Sequence, residues 1–486
     1  MAGADVSLAE LFTDGVAGKR IHFVGAGGSG ISGVMWLARE RGALVSGCDV
    51  APTSSWRLLQ SRGVDVVLGH DTAHVRDADL VVLSPFLTYR HPDLPELVAA
   101  RQSGKPVVKW QALLGYLMSG SIGVSVAGVH GKGSVTALHG ALAVAGGLDP
   151  TVEIGATSVD WGLNSRLGHG RYFINEADEW DYNFLNYHPR VVVLTAVEYD
   201  HPEFFPSYEA IRDAFVAFLR GMDLSERSPD VPAPTIVANA DNPGCLDVLG
   251  RLGDWPGVVR TFALDRYDVD ARGEDVRVGG ETSFTLRLRG DALGRVMLVT
   301  PGRHNVYNAV AAALAADVVG VSSDLLAPTI TAWRGLRRRF EIIADGDVTF
   351  VDDYAHHPHA VALTLETARQ RFPGRRLVAV FQPTLFTRLQ RFLTPFSEAF
   401  DLADEVVIVE IQPSREADTG LIHGSALVEA IAERPRFAAH PDAVRYGGND
   451  DATAALLRTL RRPGDVIVVM GSGPVNQAIA GARETR

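Results

Sequence analysis

The sequence predicts an α/β protein built as three domains. Short Val/Ile-rich runs, each closed by glycine or a charged residue and followed by amphipathic sequence, recur in three separate stretches. Two of these stretches carry a glycine-rich turn directly after their first apolar run. The length of 486 residues exceeds what one hydrophobic core organises, and a domain usually takes ~100 to 200 residues. The expected domains are residues 1–120, 121–338 and 339–486.

In the first, Arg20 to Val24, Leu80 to Leu83 and Pro106 to Val108 read as buried parallel strands between helical segments. Gly25, Ala26, Gly27, Gly28, Ser29 and Gly30 follow the first strand and precede a helical pattern. Glycines there let a phosphate approach backbone N–H groups at a helix N-terminus. Asp49 closes the next apolar run, at the spacing where an acidic residue meets a ribose in nucleotide folds. The bland alternative is a tight strand-to-helix turn, and the residues alone do not separate dinucleotide from UDP binding.

The second opens with Ile122 to Ala127, continues with Val191 to Thr195 and Thr235 to Asn239, and carries a strand-like insertion around Thr282 to Val299. After its first strand come Gly128, Val129, His130, Gly131, Lys132, Gly133 and Ser134, which resemble a phosphate-binding loop: glycines expose N–H groups and Lys132 supplies positive charge for β/γ-phosphates. Gly133 stands where a Mg²⁺-binding Ser or Thr normally follows the lysine, so Ser134 is the nearest hydroxyl. The acidic run Glu176 to Asp181 and the group Glu198, Asp200 and His201 are expected at strand carboxyl ends, the ligand edge of an open α/β sheet, where carboxylates and a histidine can hold Mg²⁺. Asn305 precedes an alanine-rich helical pattern and either caps it or reads an adenine edge.

In the third, Val348 to Asp352, Arg376 to Phe381, Glu405 to Glu410 and Asp465 to Met470 are the expected strands. Val351 to Pro358 ends the first of these and gathers Asp352, Asp353, His356 and His357 at one loop, for a metal or for orienting ribose, phosphate or substrate.

Composition narrows the function. A formal charge of -12 without a long Lys/Arg run argues against nucleic-acid or anionic-membrane binding. Cys48 and Cys245 alone provide neither a disulfide framework nor a cysteine-rich metal site. The N-terminus lacks the regions of a signal peptide and no apolar run reaches the ~20 residues of a membrane span, so a cytoplasmic protein without membrane insertion is expected. No Ser/His/Asp or Cys/His constellation suggests a covalent nucleophile.

Taken in order, IHFVGAGGSGISG at 21 to 33, AGVHGKGS at 127 to 134, EADEWD at 176 to 181, EYDHPEFF at 198 to 205, GRHNVYN at 302 to 308, RRF at 338 to 340, DDYAHHP at 352 to 358 and FQPTLFTR at 381 to 388 resemble the Mur ligases nearly end to end. The resemblance implies a Rossmann-like N-terminal UDP-sugar domain, a P-loop-type central ATPase with a mostly parallel sheet, and a Rossmann-like C-terminal domain that closes over ATP. It implies ATP-dependent attachment of an amino acid, L-alanine first, to UDP-N-acetylmuramate in peptidoglycan synthesis. By the same resemblance Gly25, Gly27, Gly28, Ser29, Gly30 and Asp49 meet the UDP-sugar. Gly128, His130, Gly131, Lys132, Gly133 and Ser134 hold ATP, joined by Asn305 at adenine and by Arg339 and Asp353. Glu176 and His201, with Ser134, hold Mg²⁺, and His357 and Arg388 lie near the substrate.

Four positions depart from the family pattern: Gly133 within GKGS, Ala196 where an Asn is usual, Thr384 where a His usually follows FQP, and Pro474 in place of an acidic residue. They leave two other expectations standing, a ligase that attaches a tripeptide or another amino acid to the same acceptor, and a nucleotide-sugar-binding regulator without ligase activity. A nicotinamide oxidoreductase would explain the first glycine loop and leave the central domain unexplained. The sequence leaves the oligomeric state open.

Overall fold

The computed structural model describes residues 7–483, except 86, 88–90, 203, 227, 280, 414, 415, 417 and 419. The chain forms two compact units: Met1–Glu274 with Thr285–Val296 and Tyr307–Gly335, and Asp275–Phe284 with Met297–Val306 and Leu336–Arg486. Three sheets underlie them.

The first sheet comprises β1 (Arg20–Val24), β2 (Leu44–Asp49), β3 (Asp65–Leu68), β4 (Leu80–Leu83) and β5 (Val107–Lys109). Its order is β3-β2-β1-β4-β5 and its pairings are all parallel. The order reverses at β1, so the loop after Val24 opens where two outgoing connections diverge. Helix Ser29–Glu40 follows that loop and buries Ile31, Val34, Met35, Leu37 and Ala38.

The second sheet is built around β6 (Ile122–Ala127), β7 (Thr151–Glu153), β8 (Ser165–Arg166), β9 (Tyr172–Ala177), β10 (Val191–Leu194), β11 (Thr235–Asn239) and β12 (Val258–Ala263). From β12 the order runs β12-β11-β10-β6-β9-β7-β8. Thus β6, buried along its whole length, has parallel β10 on one side and parallel β9 on the other. The expected insertion is three strands, β13 (Ala271–Arg277), β14 (Thr282–Leu288) and β15 (Asp291–Leu298). The charged β13, ARGEDVR, alternates in burial and lacks the apolar run by which a fully buried strand is read.

One apolar cluster joins these first two sheets: Leu37, Leu113 and Leu114 pack in the same core as Phe184, Phe215 and Phe218. Phe184 stacks on Phe218 with ring centroids 4.6 Å apart. Gly115 permits the approach of helix Trp110–Met118, because a Cβ there would stand 2.3 Å from the Asn186 carbonyl. Asn164 donates to Ser32 Oγ at 3.1 Å, and Lys109 pairs with Asp181.

The third sheet comprises β16 (Glu341–Ala344), β17 (Thr349–Asp353), β18 (Leu377–Phe381), β19 (Glu405–Val409), β20 (Val444–Gly448) and β21 (Val466–Met470), in the order β16-β17-β21-β18-β19-β20. Only β16 is antiparallel to its neighbour. Val and Ile fill β19 and β21 because both faces are covered by helices. At the amino edge Arg376 pairs with Asp465 and Glu405, each at 2.7 Å. No described helix is long and apolar enough to cross a membrane.

Candidate active site

Gly128 and Gly131 shape the turn between β6 and helix Lys132–Ala145, with φ of 134° and 79°. A Cβ at Gly128 would stand 2.2 Å from Thr195 Oγ1, and one at Gly131 would stand 2.3 Å from Asn308 Oδ1. The end of β10 clamps this loop: Thr195 Oγ1 donates to the His130 carbonyl, and the Val129 N–H donates to the Ala196 carbonyl at 2.9 Å. Ala196 thus holds the loop through its backbone carbonyl. Gly133 is buried in the helix's first turn and Ser134 half-buried beside it.

Lys132 begins the helix and folds back on the loop. Its Nζ donates to the Gly128 carbonyl at 2.7 Å and to Glu179 Oε2 at 2.8 Å. Burial disfavours the ammonium, but Glu179, then Asp178 and Glu176, outweigh that penalty and hold the lysine pKa above its ordinary value. Glu179 is itself held below the usual carboxylate range: burial works against the anion, and Lys132 and His201 overcome it. Asp178 is pushed up by burial and by Glu179.

His201 completes the group, its Nε2 3.5 Å from Glu179 Oε1. Ligand atoms of Asp178, Glu179 and His201 lie within 4.8 Å of one another. The three come from the loops after β9 and β10, the strands that flank β6. Three left-handed, non-glycine residues mark these loops, Asp181, Tyr182 and His201, with φ of 53°, 54° and 54°. Such backbone is costly and is held only where its surroundings demand it.

Glu176, the carboxylate expected beside His201, lies inside β9, and its Oε2 accepts the Gly155 N–H at 2.8 Å. Among the described residues the carboxylates grouped with His201 are Asp178 and Glu179. The signal was available: residues past the last paired position of a strand face the ligand edge, and β9 ends at Ala177. His130 Nε2 stands 3.5 Å from Glu198 Oε2.

In the first sheet the glycine loop is held by backbone and by Asp49. The Gly25 and Ala26 N–H groups donate to the Cys48 carbonyl at 2.8 and 3.0 Å. Asp49 Oδ2 accepts the Gly27 N–H at 2.8 Å, and Thr53 Oγ1 donates to the Gly27 carbonyl at 2.8 Å. Asp49 thus braces the loop in which Gly27 sits. Gly28 is the N-cap of helix Ser29–Glu40, and Gly30 admits the Trp110 ring, 2.7 Å from where its Cβ would be.

The second unit holds the remaining expected residues. Asn305 is the third residue of helix Arg303–Val318, not its cap, and its amide donates to the Pro301 carbonyl at 2.8 Å. Asp353 accepts the Phe340 N–H at 2.7 Å and the Ala355 N–H at 2.8 Å. Burial raises its pKa, against the opposing pull of Arg339. The Arg339 guanidinium lies over the Tyr354 ring, 5.2 Å from its centroid, beside Arg338 at 5.4 Å. His357 is the N-cap residue of helix Pro358–Arg371 and packs edge-on against Phe392. Arg388 is buried in helix Phe386–Arg391, which starts after Leu385 at φ 70°. Thr384 Oγ1 bonds Ser472 Oγ at 2.7 Å.

Three family models match in chain order: the Mur ligase family catalytic domain over residues 20–121, the Mur ligase middle domain over 126–316, and the Mur ligase glutamate ligase domain over 338–473. A UDP-N-acetylmuramate–L-alanine ligase of Nitratidesulfovibrio vulgaris is 38% identical over 94% of this chain and 96% of its own length. A ligase of the same name from Methylococcus capsulatus is 36% identical over 94% of both chains. Among solved structures, the UDP-N-acetylmuramate–alanine ligase of Thermotoga maritima shares the fold with a TM-score of 0.77, at 24% identity over 95% of this chain and 98% of its own. A murein peptide ligase of Psychrobacter arcticus gives a TM-score of 0.72 at 26% identity, over 96% of this chain and all of its own. With identity above one third sustained across nearly the whole chain, and all three component models matched in order, this chain belongs to the Mur ligase family.

Proposed function

We propose that this protein joins L-alanine to the carboxylate of UDP-N-acetylmuramate, converting ATP to ADP and phosphate, in the cytoplasm. The observation that carries the reading is the meeting of Lys132, Glu179 and His201 where β6, β9 and β10 end. The two ligases with 38% and 36% identity support the substrate assignment. The first sheet, residues 1–120, is read as a Rossmann-like UDP-sugar domain, residues 121–338 as a P-loop-type ATPase, and residues 339–486 as a Rossmann-like domain for the amino acid and nucleotide.

A carboxylate resists amines because its charge repels the nucleophile and oxide leaves poorly. Transfer of the γ-phosphoryl group to a carboxylate oxygen gives an acyl phosphate and ADP. The neutral amine then attacks the acyl carbon, phosphate departs with that oxygen, and the amine loses a proton. Backbone N–H groups of the loop around Gly131 orient the phosphates, and the Lys132 ammonium offsets charge on the migrating group. Glu179 fixes the lysine so that little reorganisation accompanies the transfer.

Two carboxylates and an imidazole within 4.8 Å, Glu179 almost wholly buried among them, suit a divalent cation. Asp178, Glu179 and His201 would hold Mg²⁺, which when bound supplies positive charge to the nucleotide's β- and γ-oxygens. His201 is kept aimed at Glu179 by its left-handed backbone, whose carbonyl accepts the Phe204 and Phe205 N–H groups at 2.8 Å each.

A peptide-adding reading has one observation in its favour, the likeness to the murein peptide ligase. Incubating the full chain with UDP-N-acetylmuramate, ATP, Mg²⁺ and either L-alanine or the tripeptide separates them by product mass. The expected product carries one alanyl group per ADP formed. Phosphate release with the tripeptide and not with alanine overturns the assignment.

A further inference from the structure

The first sheet encloses a second set of ligating side chains, beneath the first glycine loop, whose Gly25 and Ala26 N–H groups meet the Cys48 carbonyl. His22 comes from β1, Cys48 from β2, His74 from the short 3₁₀ helix Thr72–Val75 and Glu96 from helix Pro95–Gln102. One ligand atom from each lies within 4.8 Å of the others. His22, Cys48 and Glu96 are at most 2% exposed.

Around Glu96 the hydrogen bonding is lopsided. Its Oε1 lies 2.9 Å from His74 Nδ1, 3.2 Å from His70 Nδ1, 3.3 Å from Cys48 Sγ and 2.9 Å from the Asp71 amide nitrogen. A carboxylate oxygen offers about two lone pairs, so four donors cannot all be satisfied there. Meanwhile Glu96 Oε2 and His22 Nε2, both buried, have no hydrogen-bond partner among the described residues. The His22 ring is oriented from its other side, with Nδ1 2.9 Å from Ser46 Oγ, which leaves Nε2 directed inward as an imidazole ligand is.

We propose that His22, Cys48, His74 and Glu96 bind one divalent transition-metal ion of the zinc type. Sulfur, imidazole and carboxylate donors together select zinc and its neighbours over Mg²⁺, which prefers an oxygen shell. Tetrahedral ligands at about 2.0 to 2.3 Å from an ion stand roughly 3.3 to 3.8 Å apart, inside the 4.8 Å span that holds the four donor atoms here. The Cys48 thiol gives up its proton to solvent and binds as thiolate, so two anions balance the ion's charge and the buried centre is neutral. With His74 and Cys48 turned to the ion, Glu96 keeps two donors, His70 and the Asp71 amide, in line with its lone pairs. The ion would add a cross-link between β1, β2 and two helical segments that already share the apolar cluster of Val24, Val75, Leu97 and Ala100.

The test uses the full chain, stripped with a chelator and titrated with Co²⁺. One equivalent should bring up a thiolate-to-cobalt charge-transfer band and tetrahedral ligand-field bands, both displaced by Zn²⁺, which should also raise the melting temperature reversibly. Cys48→Ser should lose the charge-transfer band. His74→Ala, at a partly exposed position, should weaken binding at least tenfold, and Glu179→Gln should leave the band intact. No thiolate band in the parent protein, a band that survives Cys48→Ser, or unchanged affinity in His74→Ala overturns the proposal.

Discussion

Lys132 Nζ and Glu179 Oε2 meet at 2.8 Å across the carboxyl ends of adjacent strands, and both side chains are largely withdrawn from solvent. A buried ion pair of this kind is a modest source of stability, since desolvation consumes much of the attraction. Its value lies in position: the lysine is held, already charged, against the carbonyl of Gly128 in the glycine loop.

Lys132→Ala should reduce the rate of ATP-dependent ligation by at least about 10²-fold, as loss of a charge on a transferring phosphoryl group does. Binding of the UDP-sugar, followed by calorimetry, should change little. Product formation equal to that of the parent would contradict the role given to this lysine.

Glu179→Gln and Glu176→Gln discriminate between the carboxylate grouped with His201 and the one inside β9. The Mg²⁺ concentration for half-maximal activity should rise more than tenfold for Glu179→Gln, which loses a charged ligand, and stay within about threefold for Glu176→Gln, whose amide oxygen can still accept the Gly155 N–H. The opposite ranking would return the ion to Glu176.

Gly128→Ala should disable nucleotide binding while sparing the UDP-sugar site. Its Cβ would press against Thr195 Oγ1 at 2.2 Å and the Ala196 backbone nitrogen at 2.8 Å, from a φ of 134° that L-residues rarely take. Affinity for a non-hydrolysable ATP analogue should fall at least tenfold, with a lower melting temperature.

His139 gives the fold an acid sensitivity of its own. It is buried in helix Lys132–Ala145, neither ring nitrogen has a partner among the described residues, and burial lowers its pKa from 6.5 to about 4. The folded state therefore binds fewer protons than the unfolded chain between those values. Stability present at neutral pH is lost as pH falls through that window, by roughly 2 kcal/mol at pH 5. Urea unfolding at pH 7.5 and pH 5 should show that loss in the parent and a smaller one in His139→Leu.

The alternation of apolar runs and amphipathic segments was enough to read three α/β sheets, because buried parallel strands such as Val191–Leu194 and Val466–Met470 must be apolar on both faces. Strands such as β8, two residues at an edge, and β13, charged, carry too little apolar pattern for burial to register them. Lys132 after its glycines and His201 past a strand end also stand out by type and place, and the fold brings both against Glu179.

Tertiary structure decided partners. That Glu179, and not Glu176, lies against Lys132 and His201 depends on where β9 stops and on which way its last side chains alternate, a matter of register against β6. Asp49 accepts the Gly27 and Ala51 N–H groups, and Ala196 offers its carbonyl to Val129; neither contact follows from residue type. The cluster at Glu96 draws residues from positions 22, 48, 74 and 96 into one buried point. Local sequence governs which residues can ionise, turn or cap, whereas the pairing of charges far apart along the chain is fixed by how the sheets bring strand ends together.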